Sequence, residues 1–382
     1  DWFENRREVK VLKYIENKRD FPSPNGTLKK SINKNTQTYN YIDTLYNNFL
    51  KEQNNYNSLN KDFLLQNSYL GGHVSLITVV LNIGDLIISG SGDTTIRIWS
   101  IKQNKEIATL KGHKDWIRSL IQIDKNTIAS ASDDNTIKIW DIKTQKCTAT
   151  LKGHEGWVSS LIQIDKDTIA SGSHDDTIKT WNINTKECTG TLKGHTDWVN
   201  SFVQIDKDTI ASGSYDKTIK IWNINTKECT ATLKGHSNEI CSLVQIDKDT
   251  IASGSHDKTI KIWNIKTQEC TGTLKGHSIG INSLVQIDKD TIASGSHDET
   301  IKIWNIKTQE CTLTLKGHTE SIYSLVQIDK NTIASGSGDK TIKIWNINTE
   351  ECTVTLEGHN IGISSLVQID KDTIASGSHD KT

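Results

Sequence analysis

Histidine, serine and aspartate are the residues of this 382-residue chain whose types and spacing could do chemistry. In one stretch His195 is followed by Ser212, Ser214 and Asp216, and then by Trp222. A serine hydroxyl activated by an imidazole that a carboxylate orients is the constellation of nucleophilic acyl transfer. Imidazole and carboxylate are also ordinary zinc ligands. The repetition of these letters argues against both readings. Gly-His pairs end at His73, His113, His154, His195, His236, His277, His318 and His359, the first interval being 40 residues and the others 41. A tryptophan follows in register at Trp99, Trp140, Trp181, Trp222, Trp263, Trp304 and Trp345. An active site needs one copy of its machinery, whereas a structural clasp needs a copy in every unit. Histidines held in such a clasp have no free ligand for a metal, and the seven cysteines contain no Cys-x-x-Cys pair. No catalytic residue, metal or cofactor is therefore assigned.

The elements that must position these residues can be read from one repeat. Val199–Ile205 is a near-continuous apolar run, as expected for a strand covered on both faces. Asp206-Lys207-Asp208 makes a turn into Thr209–Ser214, a strand of small residues. Asp216-Lys217 turns into Thr218–Trp222, which is β-branched and alternating. Asn225-Thr226-Lys227 leads to an outer strand, Cys229–Leu233, where Cys229, Ala231 and Leu233 are expected on one face. A period near 40 residues with Gly-His early and Trp late marks a propeller of four-stranded blades.

On these landmarks the chain resembles the WD-repeat family over roughly residues 62–382. The dipeptide departs from the pattern: only Trp140-Asp141 is intact, Trp99 is followed by Ser, and the other five tryptophans by Asn. The resemblance implies that each Gly-His histidine bonds the aspartate of the second turn, and that the chain of bonds runs through a serine to the tryptophan nitrogen. Carried over, this gives His195, Asp216, Ser212 or Ser214, and Trp222 in the fourth blade. His113, Asp134 and Trp140, and His236, Asp257 and Trp263, take the same places in the second and fifth. Each tryptophan is expected to cover ~150–250 Å² against the next blade.

The fold class is thus an all-β WD-repeat propeller, eight-bladed with the last blade incomplete; seven blades and a half is the alternative. The eighth repeat supplies strands near Ile361–Ile369 and Thr373–Ser378 before the sequence stops at Thr382. Phe63–Leu70 precedes Gly72-His73 where an outer strand would sit, and is expected to complete the eighth blade. Residues 1–61 form a separate segment: an amphipathic helix over 2–19, a polar linker over 22–40, and Ile42, Phe49, Tyr56 and Phe63 spaced as one helix face. The absence of methionine and the start at Asp1 read as a fragment of a longer protein.

A net charge of −1 and a pI near 6.9 give no pull toward nucleic acid or an acidic membrane. No apolar run approaches the ~18 residues of a membrane span. Six of the seven cysteines fall on the repeat, at Cys147, Cys188, Cys229, Cys270, Cys311 and Cys352. They read as small buried apolar residues of a reducing, cytoplasmic compartment, too far apart on successive blades for disulfides.

Comparison of the repeats with one another locates the function. The inner segment SLVQIDKDTIASGS is nearly constant, while the residues after Gly-His (TDWVN, SNEIC, SIGIN, TESIY, NIGIS) and the residue before the turn aspartate differ. Both sets belong to loops that open on one rim. A rigid scaffold with variable loops on one face is how a recognition surface is built. The partner-binding candidates on it are Trp116, Arg118, Asp133, Trp157, Ser159, His174, Trp198, Asn200, Tyr215, Glu239, Cys241, His256, Asn282, His297 and Tyr323. In F-box WD-repeat proteins, which this arrangement also resembles, arginines at the position of Arg118 grip phosphopeptides through bidentate pairing. Here Arg118 stands alone beside Asp133. The rim histidines could make binding pH-sensitive. The leading expectation is a non-catalytic scaffold that binds a protein or peptide, part of a larger signalling protein such as the NTPase-fused propellers it also resembles. A ubiquitin-ligase substrate receptor is the alternative.

Overall fold

The computed structural model describes residues 72–382. The helices expected before residue 62 and the outer strand expected at Phe63–Leu70 lie outside the described residues.

Every blade is built as a meander, because each strand is joined to the next by a tight turn whose residues allow it. In the fourth blade the strands are Val199–Gln204, Thr209–Ser214, Thr218–Asn223 and Glu228–Lys234, paired antiparallel in sequence order. These bounds lie within a residue of those read from the sequence. The turn after the second strand needs a left-handed residue, and Lys217 supplies it at φ 70°. Seven such four-stranded sheets follow one another, and an eighth pair of strands, Ile363–Asp370 and Thr373–Ser378, completes the described structure.

The ring closes through bonds that repeat at each joint. Between blades four and five, Gln245 donates to the Ile205 carbonyl (2.9 Å) and the Leu243 amide to Ser201 Oγ (3.1 Å). Between blades eight and one, Asn82 donates to the Ile369 carbonyl and the Val80 amide to Ser365 Oγ, both at 3.2 Å. Ser364 Oγ donates to the Ile77 carbonyl at 2.6 Å, as Ser159 Oγ does to Val199 between blades three and four. The first strand of blade eight therefore meets that of blade one as any neighbour would, and the seven-blade alternative is not the observed one. Steric fit repeats too. A Cβ on Gly213 would stand 2.7 Å from Ile240 of the next blade, which is why this strand carries glycine.

The core lies between blades. Ala211, Ile219, Ile221, Ala231 and Leu233 of blade four pack with Ile240, Leu243, Ile251 and Trp263 of blade five. Trp140, Trp181, Trp222, Trp263, Trp304 and Trp345 thus fill the joint with the preceding blade, not the following one as expected from the sequence.

The outer strand corrects a second expectation. Ile221 pairs with Ala231 but Trp222 pairs with Cys229, so Thr230 is a bulge. A bulge breaks the two-residue alternation. Ala231 and Leu233 stay buried, while Cys229 is exposed. The same holds at Cys147, Cys188, Cys270, Cys311 and Cys352, all exposed and unpaired.

Candidate functional site

The His-Ser-Asp-Trp set is a buried clasp. Trp222 Nε1 donates to Ser212 Oγ at 2.8 Å, which stands 2.7 Å from His195 Nε2; His195 Nδ1 stands 2.7 Å from Asp216 Oδ2. An ionised carboxylate only accepts, so the proton sits on Nδ1 and the serine proton points at Nε2. One donor-to-acceptor chain then joins the third strand, the second strand, the entry loop and the turn. Between the two serines offered by the sequence, Ser212 is the link. Ser214 instead donates to the Asp197 carbonyl at 2.9 Å and accepts the Asp216 amide at 3.0 Å, shaping the turn. Burial disfavours charge on Asp216, but hydrogen bonds from His195 and Thr218 outweigh it and hold the carboxyl well below its usual range. The same chain joins His113, Asp134, Ser130 and Trp140, and His236, Asp257, Ser253 and Trp263. Ser212 is wholly buried, so its hydroxyl is presented to no substrate. The glycine of Gly-His is required here: Gly194 has φ +156°, and a Cβ would stand 3.3 Å from the Trp222 ring.

Above the clasps, the loop rim carries a continuous stack across blades two to four. The Arg118 guanidinium lies 4.8 Å from the Trp116 ring centre and 5.6 Å from that of Trp157. His174 follows, 5.0 Å from Trp157 and parallel to Trp198 at 3.9 Å, and Trp198 contacts Tyr215 at 5.1 Å. Burial lowers the His174 pKa, with Asp133 pulling it up and Arg118 down, so the stacked imidazole is neutral near pH 7. Arg118 is committed: its Nε and Nη2 donate to both oxygens of Asp133, at 2.8, 3.0 and 2.6 Å. It has no free fork for a phosphate.

On the next blades the rim is looser. Glu239 Oε1 lies 2.6 Å from His256 Nδ1, and His256 is 5.3 Å from His297. His297 Nδ1 lies 2.9 Å from Ser321 Oγ, and its ring meets Tyr323 edge-on at 6.2 Å. Burial first, and His256 second, lower the His297 pKa. Burial with Glu239 nearby pushes the Cys241 thiol up to about 12, so it is inert. Ser159 and Asn282 serve the joints, donating to the carbonyls of Val199 (2.6 Å) and Ile322 (2.8 Å) of the following blade. Asn200 occupies the equivalent place in blade four and is half-buried.

Seven large apolar side chains stand exposed among the described residues, and six are on this rim: Val74, Trp157, Trp198, Ile279, Tyr323 and Ile361. Sequence reasoning missed Val74, Ile279 and Ile361. The available signal was an apolar residue one or two places after Gly-His, where the other repeats carry Lys, Glu, Asp, Asn, Ser, Thr or Gly. The opposite rim is charged and self-bonded: the Asp208 amide donates to Asp206 Oδ1 at 2.9 Å, and Asn225 donates to Asp208 at the same distance.

Comparison with known proteins agrees with this geometry. The family described as WD domain, G-beta repeat, matches eight times, at residues 65–100, 104–141, 145–182, 186–223, 227–264, 268–305, 309–346 and 350–382. The chain belongs to the WD-repeat family. It is similar to the Nuclear distribution protein PAC1-2 of Postia placenta (45% identity over 38 residues, 10% of this chain). It is also similar to the Cell division control protein 4 of Saccharomyces cerevisiae (37% over 73 residues, 19% of this chain). These stretches make up only 9% of each relative's length. Among solved structures it is similar to the computationally designed Ika8 protein, with a TM-score of 0.75 and 32% identity over 82% of this chain and 96% of that one. WD-repeat propellers are typically protein-interaction scaffolds, and the clasp explains how this one keeps its shape while its rim varies.

Proposed function

We propose that the protein is a non-catalytic recognition scaffold that binds a protein or peptide on the loop rim, within a larger signalling protein. The observation that carries this reading is the concentration of exposed apolar side chains there, six of seven, against a charged opposite rim. Scattered exposed hydrophobics are ordinary, and it is their restriction to one rim that favours this reading. The seven unpaired cysteines fit a reducing, cytoplasmic setting. Neither nucleic acid nor membrane is part of this reading; among the described residues no helix is long and apolar enough to span a bilayer. A phosphopeptide-gripping ligase receptor is disfavoured by the Arg118–Asp133 pair.

Affinity capture separates the rims. Trp157→Ala with Trp198→Ala, combined with Ile279→Ser and Ile361→Ser, is expected to lose the partners that wild type retains, while Lys207→Ala on the opposite rim retains them. Loss with Lys207→Ala and retention with the loop-rim variant, both folded, would place the interface elsewhere.

A further inference from the structure

We propose that the rim of blades three and four receives a basic peptide segment, whose arginine or lysine heads are taken by Asp176 and Asp197 while their aliphatic stems lie along the exposed edges of Trp157 and Trp198. This rests on the reading of the loop rim as the binding face and names the partner's chemistry.

The argument begins with position 176. At the tip of the turn after the second strand, blades four, five, seven and eight carry Lys217, Lys258, Lys340 and Lys381, each with positive φ. Blade three carries Asp176 there, at φ 63°. Blade six carries Glu299 there, at φ 68°, so the charge is reversed at two turns of the ring, and of these the one in blade three stands beside the exposed tryptophans. Asp176 makes no hydrogen bond or ion pair among the described residues, and neither it nor Asp197 has a cationic partner. Burial, and then repulsion from Asp197 and from the clasp carboxylates Asp175 and Asp216, raise the Asp176 pKa. An incoming cation would relieve that repulsion. Neutral His174 between the two tryptophans does not.

The tryptophans define how such a cation binds. Arg118 and His174 flank the Trp157 ring, and His174 and Tyr215 flank that of Trp198. A cation over an aromatic face is therefore not available. What remains open is edge: Trp157 is 43% and Trp198 40% exposed. Long cationic side chains suit this surface, because they bury their stems on apolar ground and keep the head at a carboxylate. The arginine of this rim, Arg118, is already neutralised by Asp133 and offers no free fork to an anionic peptide. Complementary charge also steers encounter and selects the partner.

The test uses the full chain and three labelled peptides on one Gly/Ser background, bearing Arg-Leu-Arg, Gln-Leu-Gln or phosphoserine-Leu-phosphoserine, followed by fluorescence anisotropy. The Arg peptide is expected to bind about tenfold more tightly than the Gln peptide, and to weaken with salt. Asp176→Asn with Asp197→Asn should remove about that tenfold preference. Asn keeps the oxygen that accepts the Trp198 amide at 2.8 Å, so the loop is preserved, and a thermal melt checks the fold. Stronger binding of the phosphoserine peptide, equal binding of Arg and Gln peptides, no binding of the Arg peptide, or an unchanged double variant would each overturn the inference. If another peptide binds and Trp157→Ala with Trp198→Ala abolishes it, the loop rim remains the binding face and only the basic partner is wrong.

Discussion

Trp222 and Trp198 belong to the same repeat and are used in opposite ways, as are His195 and its rim counterpart in the blade before, His174. Trp222 is 1% exposed and bonded through Ser212 to His195; Trp198 is 40% exposed and held by stacking on His174 and Tyr215. The clasp satisfies every polar atom it buries, so it tolerates repetition without change. The rim asks of its side chains only that they stack or pair with neighbours, so blades differ there. The difference teaches that residue type does not disclose role in this chain; depth in the blade does.

The largest effect expected to sharpen this contrast is in stability. Trp222→Ala should cost roughly 3–5 kcal/mol, because it empties a joint between blades and strands Ser212 and His195. Trp198→Ala should cost about 1 kcal/mol, near the average for a substitution, because its ring is only partly covered. Equal losses in urea denaturation of the two variants would break the distinction between clasp and rim.

Acid offers a graded test. Burial lowers the pKa of His73, His277 and His318 in their clasps despite the neighbouring aspartates. A depressed histidine binds fewer protons folded than unfolded. Its contribution is therefore complete above the unfolded value of about 6.5 and is lost as pH falls below it. The clasp aspartates follow in a second window. Asp93 and Asp298 are held at about 2, hydrogen bonds outweighing burial, so their contribution is present above about 3.8 and lost as pH falls toward 2. The melting temperature should thus fall in two steps on acidification, first below about 6.5 and then below about 3.8. A melting temperature that rises between pH 7 and 5 would contradict this sign.

The smallest effect concerns the outer belt. Cys147, Cys188, Cys229, Cys270, Cys311 and Cys352 are exposed and Cys241 is not. A thiol reagent should titrate six cysteines in the folded protein and the seventh only after unfolding. Because these six contribute little packing, alkylating them should change stability by less than about 0.5 kcal/mol. Protection of the belt cysteines would show that the bulged strand had been misjudged.

Much of this was legible in the sequence, for a local reason. Strand limits such as Thr209–Ser214, and the membership of His195, Asp216 and Trp222 in one clasp, follow from a repeated pattern in which each unit restates the same alternation and turns. The candidate site was legible only as a set of positions. That Arg118 would spend itself on Asp133, or that Ser159 and Asn282 would bond the next blade, depends on which neighbour stands within reach.

The sequence by itself determined the blade, its count of repeats and the rim on which they differ, because period and turn chemistry act within about 40 residues. Only the tertiary structure decided how the ring closes, which serine completes the clasp, why the belt cysteines face out, and how Trp157, His174 and Trp198 stack. Each of these is set by side chains meeting across a joint or by a single bulge at Thr230, and neither leaves a periodic mark on the chain.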